Sequence, residues 1–263
     1  MTAWENRTGF VTLVRKETSR FLKVFIQTIV SPIISAGLYM LVFGVSLSSL
    51  LRNQQGFTYL EFLVPGLVAL SSLNNALQNS ASSIMISKFH GDLQDLRLIP
   101  LAPDQIALAY VLACVFRGGI VGMLVLLLGQ AVFFLLTGGW IGLAHPAGLL
   151  AFLVLGCTIF GNLGICSGFL AKSFDHINAF ANFVILPLIY LGGVFFSMEI
   201  LHPVFQTAAR FNPLLYLING IRWSVLGASD IPASICLVAA LIFALISFAL
   251  ARLAVAKGSY QRF

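Results

Sequence analysis

The chain reads as an all-α polytopic membrane protein with six transmembrane helices, and three observations carry that reading. Only 9% of its 263 residues are Asp, Glu, Lys or Arg, against about a quarter in soluble domains. Mean hydropathy is +0.97. The few charges are also segregated, with no Asp, Glu, Lys or Arg between Glu61 and Lys88 or between Arg117 and Lys172. Stretches of about 20 residues that avoid charge are those that lipid solvates. The length leaves no room for a sizeable soluble domain beside the spans, so residues 1–263 are expected to form one transmembrane domain. The formal charge of +6 lies in no dense basic patch, and reads as membrane topology rather than nucleic-acid binding.

The spans follow in order at about 24–49, 60–87, 105–137, 147–171, 177–198 and 231–253. The first holds Pro32 in its first half, where a kink is expected. It is long enough to span and has no small-residue cleavage site, so it is expected to stay in place. The second has Pro65-Gly66 near one end and a polar run, Asn74, Asn75, Gln78 and Asn79, on the other half. Such a face is costly against lipid, so it points at other helices or a hydrated cavity. Gly118 to Ala171 is about twice one span, and Gly138-Gly139-Trp140 through His145-Pro146 divides it by a tight loop. Arg117, at the inner end of the third span, is either a snorkelling anchor or a substrate-contacting charge. The four cysteines fall in apolar runs without CxxC spacing and read as buried free thiols.

Six spans place both termini on one side, and the Lys/Arg bias puts that side in the cytoplasm: Arg52, Arg210 and Arg222 alone fall on the other face. Two segments are neither spans nor plain loops. In residues 8–23, Lys16, Ser19, Arg20 and Lys23 recur at three-to-four spacing, while Phe10, Val14 and Phe21 lie on the other side. This is an amphipathic helix at the lipid interface, or a simple basic flank that orients the first span. Residues 199–228 are apolar, yet Pro203, Arg210, Asn212-Pro213, Arg222 and Gly227 break them, which fits two short helices re-entering from the outer face.

One charged island, Lys88 to Asp104, interrupts the apolar runs. No phosphate loop, HExxH or GxSxG occurs, so neither ATP hydrolysis, zinc chemistry nor a serine nucleophile is expected here, and no catalytic or metal-binding residue is assigned. Asp92 and Asp95 are the one carboxylate pair. They form a solvated acidic patch or, as the alternative, hold Mg²⁺ in a membrane-embedded transferase acting on lipid-linked substrates. A proton relay has no intramembrane acid to run through, since Glu61, Asp175, Glu199 and Asp230 all lie at span ends.

Four segments resemble the membrane permease subunit of ABC-2 type transporters: YLEFLVPGLVAL at Tyr59–Leu70, the island, PLIYLGGVFFSMEIL at Pro187–Leu201 and FNPLLYLINGIR at Phe211–Arg222. They occur in order over nearly the whole chain, nearest to the small bacterial six-span exporters of drugs, antibiotics and nodulation factors. The resemblance implies a protein of the bacterial inner membrane that pairs with a second permease and with two separate ATPase subunits. ATP and Mg²⁺ would be bound there and no cofactor on this chain. It makes residues 88–103 the coupling segment. Phe89, Leu93 and Leu96 would enter a groove on the ATPase, with Lys88, Asp92, Asp95 and Arg97 setting the register. Residues 8–23 match the family's interfacial helix, and Asn212, Pro213, Gly220 and Arg222 its outer re-entrant motif. The expected path is lined by Asn74, Asn75, Gln78 and Asn79 with Tyr190, Phe195 and Phe196, residues that equally suit helix packing.

Overall fold

Backbone groups in lipid must be satisfied within the segment that carries them, and each long apolar run of this chain achieves this as a helix. The computed structural model describes residues 7–45, 57–198, 202–258 and 260; among them no strand occurs. Helix α1 (Arg7–Lys23) breaks at Val24. Helix α2 (Phe25–Tyr39) follows and widens into a π-helical turn over Met40–Val45. The two axes are bent by 59°. The remainder of the first expected span, 46–49, lies outside the described residues.

Helix α3 (Tyr59–His90) starts on a reciprocal cap. The Glu61 amide donates to the Thr58 hydroxyl while the Thr58 amide donates to the Glu61 carboxylate at 2.7 Å. A short α4 (Asp95–Leu98) leads to α5 (Pro103–Thr137). With 35 residues, α5 is about 52 Å long, more than one crossing needs. Gly138, with φ at 71°, closes it, and α6 (Pro146–Leu170) returns after the expected short loop. That loop is pinned by Gln130, whose side-chain amide exchanges two hydrogen bonds with the Ile141 backbone.

The fifth span departs from expectation. Its helical part runs from Phe174 to Leu191 rather than over 177–198, as α7 (Phe174–Phe180), a π-turn (Ala181–Ile185) and α8 (Leu186–Leu191). Pro187 has no amide to donate to the preceding turn, and Gly193 adopts φ of 81°, so the chain leaves the helix and continues as a strap of turns and bends over 192–198. Two short helices, α9 (Pro203–Ala209) and α10 (Pro213–Leu226), precede the last, α11 (Ala233–Lys257). The residues Glu199–Leu201 lie outside the description. Among the described residues five helical segments are long and apolar enough to cross a membrane, or six where the bent α1–α2 pair counts as one span.

The bundle is built around α3, which is buried along most of its length. Its main partner, α6, approaches through glycines. A Cβ on Gly164 would collide with Ser80 Oγ and the Leu77 carbonyl oxygen, and one on Gly156 would meet Leu73. Close backbone approach of this kind is how membrane helices gain packing without a hydrophobic drive. Gly164→Leu should therefore force α3 and α6 apart, an overpacking cost of about 3 kcal/mol. The monodisperse fraction on size exclusion should collapse; wild-type yield and melting temperature would refute this close-packing account. α5 and α11 turn Leu127, Leu135, Leu245 and Leu253 outward, as lipid-facing surfaces do.

At the end opposite the island, α10 reaches into the bundle. Leu217 packs near Gly156, ten residues or about 15 Å along α6 from Pro146, and the chain then returns so that the Ala144 and His145 amides donate to the Val225 and Ser224 carbonyls. One large apolar cluster fills the bundle. A second, at the island end, joins Leu13 of α1, Ile84 of α3, Leu93 and Leu96 of the island, and Ile106 and Tyr110 of α5.

Candidate functional site

The island is an elbow whose shape comes from one glycine. α3 ends at Gly91, with φ of 88°, which turns the chain into a 3₁₀ turn over Asp92–Gln94 and then α4. This places Leu93 and Leu96, 0% and 6% exposed, inside the second apolar cluster. They anchor the elbow to its own chain, which corrects their expected role as groove-inserting anchors. Lys88 is corrected likewise: only 1% exposed, its ammonium donates to the Phe169 and Ala171 carbonyls at 2.6 and 3.0 Å, where α6 ends without partners of its own. The outward face instead carries Phe89, 64% exposed, and Leu98, 83% exposed, flanked by exposed Asp92 and Asp95. The Arg97 side chain lies outside the description. Leu98 was missed because helical spacing was carried across Gly91, where the helix actually stops.

Helix α1 lies beside the elbow along the first half of α5. Lys16, Ser19 and Lys23 face outward as expected, and Phe10 and Val14 pack inward. The inner face is nevertheless not purely apolar. Glu17 is buried, accepting from Ser83 Oγ at 2.6 Å and pairing with Arg20 at 3.3 Å. Arg20, expected among the outward cations, turns in and donates from Nη2 to the Asn79 backbone oxygen at 2.8 Å and to its Oδ1 at 3.2 Å. Phe21 packs edge-on against Phe116 of α5, their ring centres 6.2 Å apart.

Above this contact a cavity opens between α2, α3 and the fifth span. Its lower part, about 550 Å³, is lined by Arg20, Thr28, Gln78, Ser82 and Arg117. Its upper part, about 450 Å³, is lined by Ser35, Tyr39, Phe43, Ser71, Tyr190, Phe195 and Phe196. Ser31, Pro32, Asn74 and Asn75 line both, so the two parts adjoin. Of the expected path residues, Asn74, Asn75, Gln78, Tyr190, Phe195 and Phe196 come together there. Asn79 does not: fully buried, it stands behind the wall and accepts from both Arg20 and Arg117. Arg117 reaches inward rather than toward the surface, donating to Asn75 Oδ1 from Nε and Nη2 at 3.3 and 3.2 Å. Its guanidinium sits 5.8 Å from the Phe21 ring centre. The α2 wall was missed, although Ser31, Ser35, Tyr39 and Phe43 form an i, i+4 stripe that was there to be read.

The Phe211–Arg222 motif serves the architecture. Asn212 caps α10, accepting from the Leu214 amide at 3.0 Å, and donates to the Leu188 carbonyl at 2.6 Å. Pro213 follows at the first turn, and Gly220 makes room for the Phe152 ring. Arg222, counted above as an outward charge, is 1% exposed. It lies 3.7 Å from the Phe62 ring centre, 4.0 Å from the Asp230 carboxylate and 2.8 Å from the Gly193 carbonyl it donates to. It ties the 192–198 strap to the bundle and is no guide to topology. Asp92 and Asp95 have no third ligand-type side chain beside them: among the described residues, no three of His, Cys, Asp or Glu come together.

A helical bundle with apolar outward faces, an internal cavity partly lined by polar side chains and an exposed elbow fits a membrane permease. The chain belongs to the ABC-2 type transporter family, whose model matches residues 8–226. It is 37% identical over 217 residues to the inner membrane transport permease YadH of Escherichia coli K12, covering 82% of each chain. It is 26% identical over 226 residues to nodulation protein J of Rhizobium leguminosarum bv. trifolii, covering 83% of this chain and 82% of the relative. A third similarity, 24% over 220 residues, is to nodulation protein J of Neorhizobium galegae. The chain is thus a multi-pass inner-membrane protein and the transmembrane permease of an ABC transporter.

Proposed function

We propose that two copies of this permease, or one copy and a paralogue, form the translocation path of an exporter driven by two separate ATPase subunits. ATP and Mg²⁺ bind on those subunits and no cofactor on this chain. Both termini and the island face the cytoplasm, with α9 and α10 re-entering from the opposite side. The positive-inside count supports this orientation, and removing buried Arg222 from the opposing set strengthens it. Membrane lipids surround the bundle; nucleic acid plays no part. The cavity between α2, α3 and the fifth span is the path's share on one subunit, polar toward the cytoplasm through Asn74, Asn75 and Gln78 and aromatic beyond.

The observation that carries the reading is the elbow. Two large apolar side chains, Phe89 and Leu98, stand exposed on an elbow that also exposes Asp92 and Asp95, next to an interfacial helix. A knob of this composition fits an apolar pocket rimmed with basic residues on a partner. The buried pair Leu93 and Leu96 holds the knob rigid, so that a push on it is transmitted to α3.

The F89A/L98A double variant should lower recovery of the co-expressed ATPase with the permease at least about tenfold, leaving the permease's melting temperature unchanged. Leu93→Ala should do the reverse, lowering the melting temperature through a cavity cost of about 2–5 kcal/mol. Full ATPase recovery and substrate-stimulated hydrolysis with F89A/L98A would sink the docking assignment.

A further inference from the structure

The charged end of the cavity holds more positive charge than its surroundings neutralise. Arg20 and Arg117 each place a guanidinium nitrogen 3.2 Å from the same neutral atom, Asn79 Oδ1. The one carboxylate in this network, Glu17, pairs with Arg20. Arg117 has only amide oxygens as acceptors and a ring face beside it, and among the described residues no carboxylate pairs with it. Two cations held together by one shared amide oxygen repel each other, and a guanidinium lining a cavity with N–H groups to spare is a fork for an oxyanion.

Depth and shape define the rest of the ligand. Arg117 lies 20 residues before the end of α5 at Thr137, about 30 Å along the helix, so it sits at the headgroup level of one leaflet when Thr137 reaches the other. The cavity leaves this point along the α2 stripe Ser31, Ser35, Tyr39 and Phe43, a run of about 18 Å. It ends among rings, with Tyr39, Phe43 and Tyr190 all within 6.5 Å of Phe195, centre to centre. Val24 and Ile86, both exposed, edge the charged end and open it toward lipid. We propose that this cavity binds an amphiphile with one anionic oxyacid group, drawn from the island-side leaflet. Arg117 and Arg20 hold the head, and the aromatic end holds the tail. The inference deepens the path reading given above and rests on it for the claim that the bound molecule is cargo.

The test uses the full-length permease in phosphatidylcholine nanodiscs, with a dansyl-labelled undecanoic acid as reporter and empty nanodiscs as background. Dodecyl phosphate should displace the reporter, while dodecyltrimethylammonium and inorganic phosphate at equal concentration should not. Arg117→Gln should raise the half-displacing concentration of dodecyl phosphate at least about tenfold, and Arg117→Lys should recover part of it. Gln78→Glu, which keeps shape and adds a negative charge to the same wall, should weaken binding in the same direction. It keeps the test open if Arg117→Gln fails to fold. Equal displacement by the cationic amphiphile, equal displacement by inorganic phosphate, or unchanged affinity in Gln78→Glu would each overturn the proposal. ATPase stimulation in the assembled complex separates the two readings. Charge-selective binding without stimulation leaves the anion site standing and removes the path. Stimulation by neutral amphiphiles with charge-indifferent binding keeps the path and removes the anion site.

Discussion

Asp230→Asn should destabilise the protein more than removing Asp230 and Arg222 together. Arg222 is 1% exposed, with the Phe62 ring on one side and the Gly193 carbonyl and Asp230 carboxylate as its polar partners. Taking away the acid leaves a buried cation uncompensated, at a cost of about 3–5 kcal/mol. Replacing both, as in R222M/D230N, removes the desolvated charge as well, and a methionine can still pack on Phe62. The Asp230 carboxylate also accepts from Ser197 Oγ and the Met198 amide at 3.0 and 3.1 Å, while its own amide donates to Asn219. The single variant should therefore loosen the 192–198 strap and, with it, the aromatic wall of the cavity. Melting temperatures of the purified variants decide the matter. A single variant as stable as wild type, or a double variant worse than the single one, would remove the electrostatic account of this site.

Lys88→Met should also destabilise the protein, at about 2–4 kcal/mol. The ammonium reaches two carbonyls, those of Phe169 and Ala171, just where α6 runs out of intrahelical donors. A cation near a helix C-terminus also meets the negative end of its dipole. Methionine fills the space but donates nothing, so the end of α6 should fray. Amide exchange over 165–172 should accelerate strongly while the far end of α6 stays protected. Unchanged exchange there, with only ATPase docking impaired, would return Lys88 to the partner-facing role that the family resemblance implies.

Much of the architecture was legible because its cause is local. Charge-free length set the spans, Gly138-Gly139 and His145-Pro146 set the α5–α6 turn, and Asn212-Pro213 marked the start of α10. What escaped reading depended on which way a side chain turns. Lys88, Glu17, Arg20 and Arg222 all look solvated in a one-dimensional pattern, and each is drawn into the bundle by a hydrogen-bond partner distant in sequence. Leu93 and Leu96 kept a spacing that suits a docking helix, but Gly91 reset the register and turned them inward. The α7–α8 span broke early because Pro187 and Gly193 act together, whereas Pro32 and Pro65 sit inside continuous helices. The cavity stands out from its α3 side, where amides are conspicuous in an apolar run, and less from its α2 side, where the stripe of serines and aromatics is easily taken for ordinary membrane helix.

The contact between Arg20 and Asn79 has a mechanical consequence. α1 packs at the island end, yet its Arg20 guanidinium is both a rivet into the central helix and part of the wall around the chamber. Any tilt of α1 relative to α3 has to stretch or break that rivet, and in doing so moves a positive charge at the chamber's mouth. The lever that feels the motor and the latch that holds the passenger would then be one side chain, with no relay between them to slip.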